Sequence, residues 1–95
     1  MIACNDHLAC ALMRRAQDLG FSVPNDISFF GYGDILLSEH CFPRLSTVRV
    51  DALSLGSVGA DMIIKRIENP DKPIEKIVLP VKLTLRESAG ICRIK

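Results

Sequence analysis

Cys4, His7 and Cys10 follow one another at three-residue steps near the start of the chain. Sulfur and imidazole suit zinc, and a thiol beside an imidazole is the pairing of a cysteine nucleophile. The spacing works against both. Cys4 ends an apolar run, Ile2–Cys4, that reads as a strand, while His7 and Cys10 would project from different sides of the helix that follows. No fourth ligand is evident. Ser38-Glu39-His40 lacks the turn chemistry of a hydrolase elbow, and Gly20, Gly31 and Gly33 do not have the spacing of a dinucleotide or phosphate loop. We therefore expect no catalytic residue, no metal and no cofactor. Asn5-Asp6 is different. Both are good helix caps, and they fall between a strand and a helix, where open α/β sheets bind ligands.

The elements that position this pair can be read from periodicity. From Leu8 the apolar residues Leu8, Leu12, Ala16 and Leu19 form one helical stripe, taken here as the face that meets the sheet. Gly20 supplies the C-terminal stop. Val23-Pro24-Asn25-Asp26 is a turn, Ile27–Phe30 a short strand, and Gly31-Tyr32-Gly33-Asp34 its break. Strand, helix and strand within about 30 residues make a βαβ unit, hence a parallel sheet with a right-handed crossover. Residues 35–44 read as a loop or short helical turn, and 46–50 as a strand. A second helix, capped by Asp51 or Ser54, runs to about Ile67. Its apolar residues cover more than half its circumference, wider than the ~100° stripe of an ordinary surface helix, so it calls for a second partner. After Asn69–Pro73 two strands are expected, Ile77–Leu79 and Val81–Arg86. The tail from residue 88 carries no signal.

Ninety-five residues fit one small domain. With 48% hydrophobic residues, four Phe, one Tyr and no Trp, its core must be aliphatic. A formal net charge of +1 and no basic stripe exclude a general attraction to nucleic acid or acidic lipid. No apolar stretch approaches the ~20 residues that cross a bilayer. The first ten residues lack the organisation of a secretion signal. The four cysteines, Cys4, Cys10, Cys41 and Cys92, are accordingly expected as reduced thiols in the cytoplasm.

The spelling at the turns is more specific than the order of elements. Cys4-Asn5-Asp6, Gly20-Phe21-Ser22-Val23-Pro24-Asn25-Asp26-Ile27-Ser28, Gly31-Tyr32-Gly33-Asp34 and Pro43-Arg44-Leu45-Ser46-Thr47-Val48 occur in that order. Gly56, Ala60, Leu79-Pro80 and Leu85-Arg86-Glu87-Ser88 continue the series. Over roughly residues 2–89 the chain resembles the C-terminal part of LacI/GalR-family transcriptional regulators. The resemblance implies an α/β, periplasmic-binding-protein-like (type I) fold, of which residues 1–95 would be a C-terminal subdomain fragment. A helix-turn-helix, a hinge and the first subdomain would precede it. Operator DNA would be reached only through that N-terminal domain, and helix 51–67 would find its second partner on the first subdomain. The other reading is a fragment of a periplasmic sugar-binding protein for solute uptake.

The resemblance also implies site residues. The Asn of the Asn-Asp pair commonly binds the effector, which points to Asn5; the alternative is that Asn5 only caps its helix. Asp6 is expected as a cap. Gly-Tyr-Gly-Asp departs from the usual Gly-(Phe/Tyr)-Asp-Asp by placing Gly33 where a carboxylate contacts a sugar hydroxyl, and resembles the gluconate-utilisation branch. Val50 stands where sugar binders often carry a polar residue. Loss of a carboxylate favours an anionic effector, so a sugar acid is expected over a neutral sugar, although Gly33 also fits a turn needing positive φ. Arg49 would meet a ligand carboxylate bidentately or stand as a solvated hinge residue, and Arg86 is expected to be structural. Homodimerisation is implied through the first helix and loop 35–43, at Cys10, Cys41 and Phe42; the alternative is that the loop folds over its own sheet. A chain with helix 51–67 uncovered is expected to self-associate.

Overall fold

The computed structural model describes residues 1–91. Its elements run α1 (Asp6–Asp18), β1 (Phe30–Gly33), α2 (Leu36–His40), β2 (Ser46–Arg49), α3 (Ala52–Glu68) and β3 (Lys82–Thr84). Two compact units result: Met1–Val50 with the segment from Lys82 onward, and Asp51–Val81.

In the first unit the sheet order is β1-β2-β3. β1 and β2 are parallel, and β3 closes on β2 antiparallel. Residues 1–3 lie along the free side of β1. Ile2 bridges Phe30 in parallel; the Ala3 N–H donates to the Phe30 carbonyl at 2.8 Å and the Phe30 N–H to that of Met1 at 2.9 Å. The expected parallel βαβ core is therefore present. The strand expected at 27–30 is displaced: β1 begins where that one ends and takes in the glycines expected to break it. The break comes at Asp34, whose φ of 56° an aspartate tolerates better than most residues.

Asn5 and Gly20 end α1 as expected. Asn5 Oδ1 accepts the Leu8 N–H at 2.8 Å. At the other end Gly20, at φ 93°, lets the Phe21 N–H return to the Ala16 carbonyl at 3.0 Å. The face that α1 buries is not the leucine stripe. Asp6, Ala9, Met13 and Ala16 are buried, whereas Leu8 and Leu19 remain 43% and 60% exposed. Ala9 and Ala16 let the helix lie close on Phe29 and Leu45, with Met13 filling the gap; a leucine face would hold it further off. The approach is closest at Gly31, where a Cβ would stand 2.2 Å from Asp6 Oδ1.

A buried polar clamp joins β1, α2, β2 and the segment after β3. Arg86 donates from Nη2 to Asp34 Oδ1 at 2.9 Å, and from Nη1 to Ser38 Oγ at 3.0 Å and the Leu45 carbonyl at 2.9 Å. The Ser38 hydroxyl lies 2.8 Å from Asp34 Oδ1. Arg86 is thus structural, as expected. Ser88, at the start of the tail that carried no sequence signal, is fully buried. It accepts the Ser46 N–H at 2.7 Å and donates to the Phe29 carbonyl at 2.8 Å.

The second unit is α3 and the chain after it. Asp51 caps α3 by accepting from the Ser54 N–H at 3.1 Å. Arg66 holds the returning chain by donating to the carbonyls of Pro70, Lys72 and Pro73. None of the residues of α3 is buried, which agrees with the breadth of its apolar face. The strand expected at Ile77–Leu79 does not form, and β3 is confined to three residues. A run of β-formers becomes a strand only where it finds a pairing partner, and Ile77–Leu79 pairs with none of the described strands.

Burial pushes the Asp34 carboxyl up, but the hydrogen bonds from Ser38 and Arg86 and the charges of Arg86 and Arg49 outweigh it and hold the group below the usual carboxylate range. A carboxyl whose pKa falls on folding contributes stability that is complete above its unfolded value and is lost as pH falls through its folded value. Asp34→Asn should therefore weaken the fold by about 2–3 kcal/mol at neutral pH, since it leaves the mostly buried Arg86 guanidinium only the longer, exposed pairing with Glu39 at 3.5 Å. Denaturant melts from pH 7 downward should show a shallower acid loss in the variant than in the parent.

Candidate functional site

The site is assembled at the carboxyl ends of the parallel strands, around the N-terminus of α1. Asn5 is extended, at φ −153° and ψ 170°, and its side chain is exposed. Its Oδ1 is engaged in capping α1, so the amide Nδ2 is the part that can face a ligand. It carries two N–H donors, and the cap fixes its direction. Capping and ligand binding are therefore compatible roles for different atoms of one side chain.

Asp6 corrects the expectation of a second cap. It is 1% exposed and bonds across the unit: Oδ1 accepts from Thr47 Oγ1 at 2.6 Å and Oδ2 accepts from the Ile35 N–H at 2.9 Å. Thr47 Oγ1 is in turn 3.4 Å from the Asp34 nitrogen. The residue beside Asn5 thus anchors the loop that follows Gly33. Thr47 had no sequence signal beyond its place in a strand, because its partner lies 41 residues away.

Gly33 has φ 123°, a conformation that excludes most side chains. A Cβ there would find its nearest neighbours at 3.9 Å, so the backbone, and not lack of room, selects glycine. The register places Arg49 opposite Gly33 and Lys82 opposite Arg49. Arg49 is therefore the strand neighbour of the position that lacks a carboxylate, and Lys82 stands one strand further out in the same row. Lys82 was missed in the sequence because nothing local reveals which residue of a three-residue antiparallel strand faces Arg49. Val50 follows β2 directly and is half-buried. Asn5, Gly33 and Arg49 are brought to one end of the unit, and both nearby carboxylates, Asp6 and Asp34, are occupied by internal partners.

The three residues expected at a subunit surface also meet. Cys10 and Cys41 form a disulfide with Cα atoms 6.7 Å apart, which corrects the expectation of reduced thiols throughout. The helical stripe and the loop composition said nothing of how α2 returns the chain to α1. Gln17 Nε2 donates to the Phe42 carbonyl at 2.7 Å, while the Phe42 side chain is 88% exposed. Leu36, Leu37 and Phe42 face outward, whereas Ile35 is half-buried and Cys41 packs against the core, so the loop covers its own unit in part and presents the rest of its apolar side chains outward. Cys4 is free and exposed; Cys92 lies outside the described residues. Among the described residues no cluster of three metal-ligating side chains occurs, and no helix is long and apolar enough to cross a membrane.

One lobe of an α/β ligand-binding domain, with its polar groups gathered at the carboxyl edge of a parallel sheet, is the class these features define. A family model for the periplasmic binding protein-like domain matches residues 1–89, and the chain belongs to that family, in the form found in LacI/GalR-type repressors. It is 33% identical over 88 residues to the ribose operon repressor of Haemophilus influenzae, covering 93% of this chain and 26% of that one. A LacI family transcriptional regulator from Enterococcus faecium, solved with bound ribose, superposes with a TM-score of 0.80 at 36% identity, over 94% of this chain and 33% of that one. The lac repressor dimer bound to operator and an anti-inducer gives 0.83 at 30% identity, over 94% and 31%. The chain thus spans a quarter to a third of the length of these proteins.

The cap that Asn5 forms and the effector contact expected of it are separable by substitution. Asn5→Ala should lose about 1–3 kcal/mol of effector binding with a smaller loss of folding stability. Asn5→Asp and Asn5→Ser keep a capping oxygen but remove the two amide donors, so both should retain α1 and lose affinity. Full affinity in either, by titration calorimetry, would reduce Asn5 to a cap.

Proposed function

We propose that this chain is the effector-binding and subunit-pairing part of a cytoplasmic LacI-family repressor, and that its effector is a sugar acid. The observation that carries the effector class is the register that sets Arg49 opposite Gly33, with Lys82 in the next strand, at the sheet end where Asn5 caps α1. It offers amide and cationic donors and no free carboxylate. Arg49 would take the acid group of the ligand as a fork of two hydrogen bonds, Asn5 a hydroxyl, and Val50 an apolar edge. Effector binding would favour one geometry of the domain and shift operator affinity at a separate DNA-binding domain. The relatives named above are transcriptional repressors, which supports a sensor. The ribose bound by the Enterococcus faecium relative supports a ligand of sugar size and polarity. Calorimetry on the full-length protein should show gluconate-type acids binding more tightly than neutral hexoses. Tight binding of a neutral hexose with no response to acids would overturn the effector class.

One observation favours a solute-uptake protein instead: the Cys10–Cys41 bridge is at home in an oxidising compartment. A helix-turn-helix encoded upstream in the same gene would decide for the repressor. For subunit pairing, the exposed Leu36 and Phe42 on the segment carrying Cys41 supply the apolar contact of an isologous interface. Leu36→Glu with Phe42→Glu should turn the full-length dimer into monomer by light scattering, with effector binding unchanged. A dimer that survives both changes would place the interface elsewhere.

A further inference from the structure

Segment 34–43 is fastened unequally at its two ends. The beginning is held deep in the unit: Asp6 accepts from the Ile35 N–H, and Asp34 and Ser38 belong to the Arg86 clamp. Beyond α2 the chain is fixed again at Arg44 and Leu45, and between them residues 41–43 are held by few contacts, among them the Cys41 N–H to the Leu37 carbonyl. Leu36, Leu37 and Phe42 are exposed, and the Gln17–Phe42 hydrogen bond is joined there by the Cys10–Cys41 bridge. That bridge is not sealed in the core. Both cysteines are half-buried, and they line an open hollow of about 630 Å³ together with Arg14, Gln17, His40 and Phe42. The hollow is within the size range of small-molecule sites, so a small thiol or disulfide can reach the sulfurs. Accessible bridges are the labile ones, whereas sealed bridges resist exchange.

We propose that Cys10 and Cys41 form a reversible thiol–disulfide switch, driven by small-molecule disulfides and thiols, that fastens or releases residues 41–43 against α1. In the oxidising direction one cysteine thiolate attacks a sulfur of the small disulfide. That S–S bond breaks and the first small thiol leaves with the bonding electron pair. The second cysteine thiolate then attacks the mixed disulfide at the protein sulfur and expels the second small thiol. Two protein thiols become one disulfide, one small disulfide becomes two thiols, and the two protons pass to the departing thiolates. Reduction is the same sequence reversed. In a reducing compartment bridges of this kind are transient and regulatory. The released segment carries Phe42, so the switch would also gate subunit pairing; that consequence alone rests on the function proposed above.

The test uses the full-length protein equilibrated in glutathione buffers graded from reduced to oxidised. Alkylation and peptide mapping follow the thiols, and amide hydrogen exchange follows residues 36–43. Cys10 and Cys41 should lose alkylation together and regain it with added thiol, while Cys4 stays alkylated. Exchange at 41–42 should be on the order of tenfold slower in the oxidised protein, with residues 34–35 unchanged. Cys10→Ser and Cys41→Ser should each hold the fast exchange at every redox setting. The proposal fails if the pair stays alkylated in oxidised buffer, if either cysteine pairs with another, or if the bridge forms without changing exchange at 41–42. Because none of these readouts involves a ligand or operator, failure here is distinct from failure of the repressor reading.

Discussion

The buried Asp6 carboxylate is the contact on which the first unit is organised. It receives the Thr47 hydroxyl from β2 and the Ile35 N–H from the loop after β1, and it stands against the bare backbone of Gly31. A carboxylate removed from water must have its oxygens satisfied. The positions of α1, β1 and β2 therefore follow jointly from one side chain. Small residues serve that requirement. Glycine at 31 admits the carboxylate to the sheet, and Ala9 and Ala16 allow α1 to lie close behind it.

The Arg86 clamp extends the same logic across the sheet. It draws the segment after β3 onto Asp34, Ser38 and the Leu45 carbonyl, while Ser88 ties that segment to Ser46 and Phe29. Among the described residues no buried side-chain nitrogen or oxygen lacks a partner. Such fully satisfied networks specify one arrangement, because any slip leaves a polar group stranded in low dielectric. The site inherits its rigidity from this. Asn5 precedes the residue that anchors loop 34–35, and Gly33 precedes the residue bound by Arg86. Polar groups at the carboxyl edge are thus held by contacts behind them, leaving their outward atoms available.

The two units divide the apolar residues unequally. The first encloses a small core of Ala3, Ala9, Met13, Ala16, Phe29 and Leu45. In the second, α3 leaves Leu53, Leu55, Ile63, Ile64 and Ile67 exposed. Burial of apolar area is the main favourable term in folding, so a helix of this composition is written for a partner.

Local chemistry made some of this legible in the sequence. Caps and stops at Asn5, Gly20 and Asp51 were readable because each acts within four residues of itself. The parallel βαβ core, the breadth of the α3 face and the placing of Asn5 at the carboxyl edge of the sheet followed from periodicity and from strand–helix order. Tertiary structure decided the rest. Which face α1 buries depended on how close the sheet would come, and a stripe of leucines could not report the depth of Gly31. The partners of Asp6, Arg86 and Ser88 lie 29 to 59 residues away, and the pairing of Cys10 with Cys41 spans 31. Contacts over such separations exist only once the chain has closed on itself, because propensity and capping act between near neighbours while burial and register are properties of the assembled sheet.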